Sequence, residues 1–268
     1  MDGIKGTDYS GDMIGFLVKK TFFDLWDNLF RIALINLGFI ASTAIPLFVP
    51  QLLESVPALS LAVLGIGIVW CLIYLAMAAF SLTAVSDCGS FEFRDFLTRV
   101  KPACLAGLGM AGGVCLLMLV MLAIRFYVSM ISLTGLLLAA TVFWLTAVGV
   151  LSFQFFLPVC ARLNRTVFKI IGKCFLIFFD NPLFCIFSFL SCVIILGLSV
   201  FTALLFPGPA GVLLYLDEAL RLRLLKYDWL EANPGSNRRR IPWDALLAEE
   251  RERVGRRSLK NLIFPWKD

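Results

Sequence analysis

Long apolar stretches dominate this chain of 268 residues. Five of them run for about twenty residues or more, the length that a helix needs to cross ~30 Å of hydrocarbon. They lie at about 29–49, 57–85, 103–124, 128–160 and 182–206. Only 16% of the residues are charged and 60% are hydrophobic, whereas a soluble domain carries roughly 25% charged residues. The sequence therefore predicts an all-α fold, a polytopic bundle of transmembrane helices.

A sixth apolar segment is much shorter than the other five. Ala210–Leu216 offers only seven apolar residues before Asp217 and Glu218. A complete crossing by residues 208–225 would place charged side chains inside the bilayer, and the alternative is a shortened, re-entrant helix. We expect about six spans, and the sequence leaves open whether this last segment crosses fully.

Basic residues are distributed unevenly between the two sides of the predicted bundle. With a cytoplasmic N-terminus and six crossings, every one of the 24 Lys and Arg residues except Arg125 falls on the cytoplasmic side. Positive charges near membrane spans favour that side. The pattern predicts a multi-pass protein of the bacterial inner membrane with both termini in the cytoplasm. Its net charge of +5 is accounted for by orientation and by contact with anionic lipid, without nucleic acid as a partner.

The order of segments repeats along the chain. Residues 13–29 predict an amphipathic helix at the membrane surface before the first span, and they end in Asp27-Asn28. A similar aromatic segment reaches Asp180-Asn181 before the fifth span, and 86–101 holds a degenerate middle copy. Three units of roughly 75 residues, each a surface helix followed by a helical hairpin, would produce this order. Chance similarity among apolar segments is the alternative.

The sixth segment carries the richest polar chemistry. Asp217 and Arg221 are four residues apart and share one helical stripe with Asp228, with Glu218 near its edge. Spacing of this kind brings side chains together on a helix. The interpretation we favour is that the helix leaves the membrane here and its charges are solvated. The alternative is a stripe that lines a polar cavity or binds a partner.

Other polar residues lie within or beside the spans. Asp180 and Asn181 precede Pro182, an arrangement typical of a helix N-cap. Asn36 and Gln154 are amides deep in apolar runs, where hydrogen bonds between helices are the expected role. Together with Asp217, Glu218 and Arg221, these residues form our set of candidate polar or interaction sites.

The glycines and cysteines of the apolar runs are predicted to serve the packing of helices. Gly109 and Gly113 form a G-x-x-x-G pair, which lets helices approach closely, within the bundle or between protomers. The eight cysteines include no C-x-x-C pair and fit small hydrophobic roles. The chain has no histidine and hence lacks the commonest general base and metal ligand. We assign no catalytic residue, no metal site and no cofactor.

The chain changes character near its C-terminal end. We divide it into a transmembrane helical domain at 1–230 and a basic amphipathic cytoplasmic tail at 231–268. The tail holds a Pro-Gly linker, the cluster Arg238–Arg240 and a charged amphipathic helix over 242–257. Anchoring to the bilayer surface is one role for such a composition, and binding a cytoplasmic protein is the other.

Several short sequence segments resemble the YesL-like family of bacterial membrane proteins, whose function is unassigned. They are FFDLWDNLFRIALIN, FRDFLTRVKPACLAGL, FLPVCARLN, KCFLIFFDNPLF and LLFPGPAGVLL, within residues 14–225. The resemblance implies an association with carbohydrate uptake and breakdown systems, and it supplies no catalytic residues.

Three functions follow in order of preference. The first is a noncatalytic accessory or assembly subunit, acting through helix packing and its tail, in a system for carbohydrate uptake. The second is a transporter or channel for a small solute, which would need a polar cavity near the middle of the membrane. The third is an intramembrane enzyme, for which convergent titratable groups are scarce.

Overall fold

The computed structural model describes residues 9–53, 55–87, 99–163, 166–235 and 241–254. This described part is 88% helical and contains no strand. The predicted all-α, polytopic helical bundle is therefore confirmed.

The helices follow one another with short connections. They are α1 Tyr9–Asp27, α2 Leu29–Leu52, α3 Pro57–Ser86, α4 Val100–Ser129, α5 Leu133–Phe153, α6 Phe156–Arg162, α7 Val167–Asp180, α8 Pro182–Val200, α9 Gly208–Ala232, α10 Trp243–Leu246 and α11 Ala248–Val254. Five helical stretches of the described chain are long and apolar enough to cross a membrane, namely α2, α3, α4, α5 continued by α6, and α8. The chain is an integral membrane protein.

The first four of these stretches form two antiparallel hairpins in contact with each other. Helix α2 packs against α3, α3 against α4, and α4 against α5. Gly107 allows the close approach of α4 to α3, because a Cβ atom there would lie 2.6 Å from the Cα of Ile73. Most of the outward side chains on α4 and α5 are apolar and exposed, as expected of surfaces that face lipid.

Helix α9 occupies the centre of the molecule. It packs against α1, α2, α3, α6 and α8, and Leu214, Ala219 and Leu220 are fully buried. The helix runs for 25 residues, well past the seven-residue apolar run, and its apolar residues lie on more than one face. Asp217 and Glu218 are 2% and 1% exposed. The expectation that these charges are solvated was wrong, because neighbouring helices cover them.

Two amphipathic helices lead into spans, as the repeat hypothesis requires. One face of α1, with Phe16, Leu17 and Phe23, is buried in the core, and the helix packs against α9. Helix α7 buries Ile170 and Cys174. In the first and third predicted units an amphipathic helix thus precedes a helical hairpin. The surface helix of the middle unit falls largely on residues 88–98, outside the described residues.

The C-terminal segment folds back onto the bundle. Ile241, Trp243 and Leu247 are buried in the same hydrophobic core as α9. The predicted single helix over 242–257 is divided here into α10 and α11. The basic cluster Arg238–Arg240 and residues 255–268 lie outside the described residues.

The cysteines of the described chain are free thiols. Cys71, Cys160, Cys174, Cys185 and Cys192 are buried, Cys104 is partly buried, and Cys115 is exposed. Cys88 lies outside the described residues. Buried thiols of this kind pack as small apolar side chains.

Candidate functional site

Charged side chains from five helices meet where α3 ends against the middle of α9. We name this set the inner ion network. It comprises Lys20, Thr21 and Asp24 of α1, Ser86 and Asp87 at the end of α3, Arg162 of α6, Asp217, Glu218 and Arg221 of α9, and Glu250 of α11.

Asp217 and Arg162 form the most complete contact of the network. Arg162 Nε donates to Asp217 Oδ1 at 2.7 Å, and its Nη2 donates to Oδ2 at 2.6 Å. Ser86 Oγ also donates to Oδ2, at 2.5 Å. Both oxygens of the carboxylate therefore accept hydrogen bonds, from a bidentate guanidinium and from a hydroxyl group. Sequence spacing suggested Arg221 as its partner, and the structure places Arg162 there instead.

Glu218 is held by α1. Lys20 Nζ lies 3.2 Å from Oε1 of Glu218 and 2.5 Å from Oδ2 of Asp24, and the Thr21 hydroxyl donates to Oε2 of Glu218. Burial disfavours the ammonium ion, but the two carboxylates outweigh that cost and raise the pKa of Lys20. Lys20 therefore remains charged, and it joins α1 to α9.

Two cations converge on the C-terminal end of α3. The carbonyl oxygen of Ser86 accepts from Lys20 Nζ at 3.2 Å and from Arg221 Nη1. Cations are favourable there because the last carbonyl groups of a helix carry partial negative charge. Arg221 also pairs with Asp87 at 3.3 Å and with Glu250 of α11 at 2.9 Å. The network thus joins the C-terminal segment to the bundle.

A second polar set lies at the junction of α7 and α8. Asp180 Oδ2 accepts from Lys226 Nζ at 2.9 Å and from the Tyr227 hydroxyl at 3.0 Å. Asn181 Oδ1 accepts from Arg223 Nη1 at 3.1 Å. We name Asp180, Asn181, Arg223, Lys226 and Tyr227 the junction cluster. It joins the start of α8 to the second half of α9.

The predicted N-cap role of Asp180 and Asn181 was wrong. Asn181 occupies the N-cap position of α8, but its side chain makes no capping hydrogen bond. Its oxygen is taken by Arg223 and Lys226. Desolvation disfavours the ionised form of Asp180, but Lys226, Tyr227 and Asn181 outweigh this effect and lower the pKa of Asp180. An interaction with α9 therefore replaces the expected local cap.

Asn36 is fully buried and caps α9 from a different helix. Its Nδ2 donates to the carbonyl oxygens of Leu205 and Pro207 at 3.0 and 2.8 Å, and its Oδ1 accepts from the backbone N–H of Ala210 at 2.9 Å. All three contacts lie in the turn between α8 and α9 or in the first turn of α9. The predicted hydrogen bonding between helices is observed, with backbone groups as partners.

Gln154 and the two glycines of α4 also act within the bundle. Gln154 Nε2 donates to the carbonyl oxygens of Leu151 and Cys185 at 2.8 and 2.9 Å, which ties the α5–α6 turn to α8. A Cβ atom at Gly109 would lie 2.9 Å from Phe156, and one at Gly113 would lie 2.5 Å from Phe153. The G-x-x-x-G pair therefore accommodates aromatic rings of the same chain.

The structure brings some of the predicted site residues together and separates others. Asp217, Glu218 and Arg221 belong to the inner ion network, Asp180 and Asn181 to the junction cluster, and Asn36 and Gln154 lie apart from both. Sequence reasoning missed Lys20 and Arg162. The position of Lys20 on the same helical face as Phe16 and Phe23 could have indicated its burial. No spacing rule joins Arg162 to Asp217.

Both sites are held together by contacts within the chain. The network and the cluster consist of ion pairs and hydrogen bonds among their own members, and in the described part of the chain no group of three or more His, Cys, Asp or Glu side chains could hold a metal ion. No protein-family model, curated protein or solved structure matches this chain.

Proposed function

We propose that this protein is a noncatalytic accessory or assembly subunit of the bacterial inner membrane. The observation that carries the proposal is that polar side chains inside the bundle are hydrogen-bonded or ion-paired to other groups of the same chain. Asn36, Asp217 and Glu218, which a solute pathway would need, are buried and bonded to groups of the same chain. Polar groups that are bonded in this way stabilise a helical scaffold and are not free to bind a solute.

The outward surface suits a subunit that packs against other membrane helices. Helices α4 and α5 bury far less of their length than α2, α3 or α8. Gly112 faces open space on α4, with no atom within 4 Å of its would-be Cβ. A small residue on an exposed helical face allows another helix to approach closely.

The association with carbohydrate uptake rests on the resemblance to the YesL-like family. The words that carry it include FLPVCARLN, whose arginine is Arg162, and LLFPGPAGVLL, which holds the α8–α9 turn. Both words lie in contacts that organise α9. On this proposal the protein positions a sugar-uptake complex through its helices, with both termini in the cytoplasm.

The test is recovery of a partner from native membranes. The tagged chain is purified in a mild detergent, alongside Gly112→Leu and the matched control Gly197→Leu, whose position in α8 is equally open. We expect a membrane component of an uptake system to copurify with the native chain and with Gly197→Leu, and to be depleted with Gly112→Leu. A native chain that always purifies alone would count against the proposal.

A solute transporter is the second candidate, and one observation favours it. Within the described residues, the ion pairs of the inner network join three cations, Lys20, Arg162 and Arg221, to five carboxylates. Asp217, Glu218 and Glu250 are buried, whereas Asp87 is half exposed. The network as a whole holds more carboxylates than cations, and such an excess of negative charge attracts a proton or a cation, as in many coupled transporters. Uptake of a labelled sugar by vesicles that contain only this protein would favour transport over the accessory role.

A further inference from the structure

The turn between α8 and α9 lies far from the end of the α2–α3 hairpin. Its carbonyl groups at Leu205 and Pro207 bond to Asn36, the eighth residue of α2. At 1.5 Å per residue, Asn36 lies about 10 Å from the start of α2 and about 24 Å short of its last residue. A hairpin that crossed beside α2 would instead place its turn near Leu52.

A second contact independently places the start of α9 at the same level along the bundle. A Cβ atom at Gly211, in the first turn of α9, would lie 3.4 Å from the side chain of Leu25 in α1. Leu25 precedes the junction of α1 with α2. The beginning of α9 therefore lies close to the end of the bundle at which α2 begins.

The other contacts of α9 lie at or beyond that same end. Asp217 binds Ser86, the last residue of α3, and it follows Gly208 by nine residues, or about 14 Å of helix. Further along, Arg223 binds Asn181 at the start of α8. Helix α9 thus runs only about 14 Å alongside the α2–α3 hairpin before it passes the end of α3.

Exposed apolar side chains show that hydrocarbon must extend well past the turn. Leu47, Phe48 and Leu52 of α2 and Leu61 of α3 are 60–81% exposed, and all lie beyond the level of Asn36. Such residues are stable in contact with acyl chains and costly in contact with water. The hydrocarbon layer therefore covers the far half of α2 and α3, and it extends beyond the level of the α8–α9 turn.

The turn itself has the properties of a segment surrounded by lipid. Val200 and Phe201 are 70% and 89% exposed. Its backbone groups are bonded internally: Gly208 N–H donates to Ser199 Oγ at 2.8 Å, and Leu204 N–H donates to the Ser199 carbonyl at 2.7 Å. Irregular backbone inside the hydrocarbon region requires that its N–H and C=O groups form hydrogen bonds within the protein.

We propose that α8 and α9 form a re-entrant hairpin, which enters and leaves the membrane on the side of the inner ion network, with Val200 and Phe201 in contact with acyl chains of the bilayer interior. The chain then crosses the membrane four times, through α2, α3, α4 and α5. An even number of crossings keeps both termini on one side, which agrees with the charge distribution. The apolar composition of α8 reflects insertion without a full crossing.

The test measures which added thiols react with a membrane-impermeant maleimide, applied from either side of sealed membrane vesicles. Phe201→Cys reports on the turn, Ser55→Cys marks the far end of the α2–α3 hairpin, and Ala232→Cys marks the end of α9. The native chain, with its own cysteines, gives the background. We expect Ser55→Cys to react from one side, Ala232→Cys from the other, and Phe201→Cys from neither until the membrane is dissolved in denaturing detergent.

Two results would overturn the proposal. Labelling of Phe201→Cys from the side that labels Ser55→Cys would show a complete crossing, and labelling from the side of Ala232→Cys would show a turn exposed to water. Val200→Cys is measured in parallel, so that a folding defect at one position does not decide the result. The readout does not depend on any partner or solute, so it is independent of the proposed accessory role.

Discussion

Arg162 at the end of α6 and Asp217 in the middle of α9 form a two-pronged ion pair, with N···O distances of 2.7 and 2.6 Å. The side chain of Asp217 is 3% exposed and that of Arg162 is 14% exposed. The two residues are 55 positions apart in the chain, and their pair joins α6 to α9. Because neither partner is well solvated, the contact is a point at which the fold can be tested directly.

Removing the guanidinium should destabilise the bundle severely. Arg162→Met leaves the Asp217 carboxylate buried with Ser86 as its remaining partner, and breaking a buried pair in this way costs about 3–5 kcal/mol. Denaturant unfolding in detergent micelles measures the change. The control is Arg251→Met, which removes a more exposed pair with Asp244 and should cost less than about 1 kcal/mol. Equal losses for the two variants would contradict the central role of the Arg162 contact.

Asn36 should contribute to stability through the backbone groups that it satisfies. Asn36→Ala removes the side-chain partner of the Leu205 carbonyl group and of the Ala210 N–H. It also removes one of the two donors to the Pro207 carbonyl group, which keeps the N–H of Gly211. We expect this loss to cost about 1–3 kcal/mol. Asn233→Ala, which removes one exposed hydrogen bond to Trp229, is the matched control and should be nearly neutral. The same unfolding assay compares them, and a neutral Asn36→Ala would show that the turn does not depend on this amide.

The close approach of α4 to α3 depends on Gly107. A methyl group there would lie 2.6 Å from the Cα atom of Ile73, and backbone cannot rotate away as a side chain can. We expect Gly107→Ala to lower the free energy of unfolding by about 1–3 kcal/mol, as overpacking does. Gly112→Ala, in the same helix but facing open space, should be neutral or stabilising. The outcome that would contradict this packing is an equal response of the two positions.

The ion pair of Asp180 should make stability depend on pH in acid. Its pKa is lowered from the ordinary value of 3.8, so the folded state favours the ionised form more than the unfolded state does. The stabilisation is complete above pH 3.8 and is lost as the pH falls through the lower folded pKa. Asp180→Asn should therefore be less stable than the native chain at pH 7, and the difference should shrink in acid below pH 3.8.

Asp244→Asn provides the control for this pH profile. Asp244 pairs with Arg251 on the surface, with side chains that are 73% and 39% exposed, so its replacement should alter stability by less than about 1 kcal/mol. Unfolding midpoints of the three chains between neutral and acid pH give the comparison. A constant difference in stability between the native chain and Asp180→Asn at every pH would show that ionisation of Asp180 does not stabilise the folded protein.

Much of the fold could be predicted because lipid imposes simple rules on sequence. A span needs about twenty apolar residues whatever its neighbours are, so α2 to α5 and α8 were visible as long apolar runs. The helical character of α1 and α7 followed from their mixed faces. The burial of Asp217 and Glu218 could not be predicted, because such charges look like a helix leaving the membrane until the helices that cover them are known.

The sequence predicted several residues of the candidate site, but it did not predict which residues they contact. Asp217, Glu218 and Asn36 were recognised because charges and amides in apolar surroundings are unusual. Their partners Arg162, Lys20 and Ala210 come from distant parts of the chain. The N-cap expected at Asn181 failed for the same reason, since Arg223 and Lys226 compete for its oxygen.

The sequence by itself determined that this chain enters the membrane as a helical bundle, because its hydropathy leaves no other solvent for the apolar runs. Only the tertiary structure decided that Asp217 and Glu218 of α9 are buried in an ion network and that the α8–α9 turn lies beside Asn36. Partition into lipid depends on the composition of each segment, whereas the pairing of buried charges depends on which helices become neighbours, and no local rule specifies that choice.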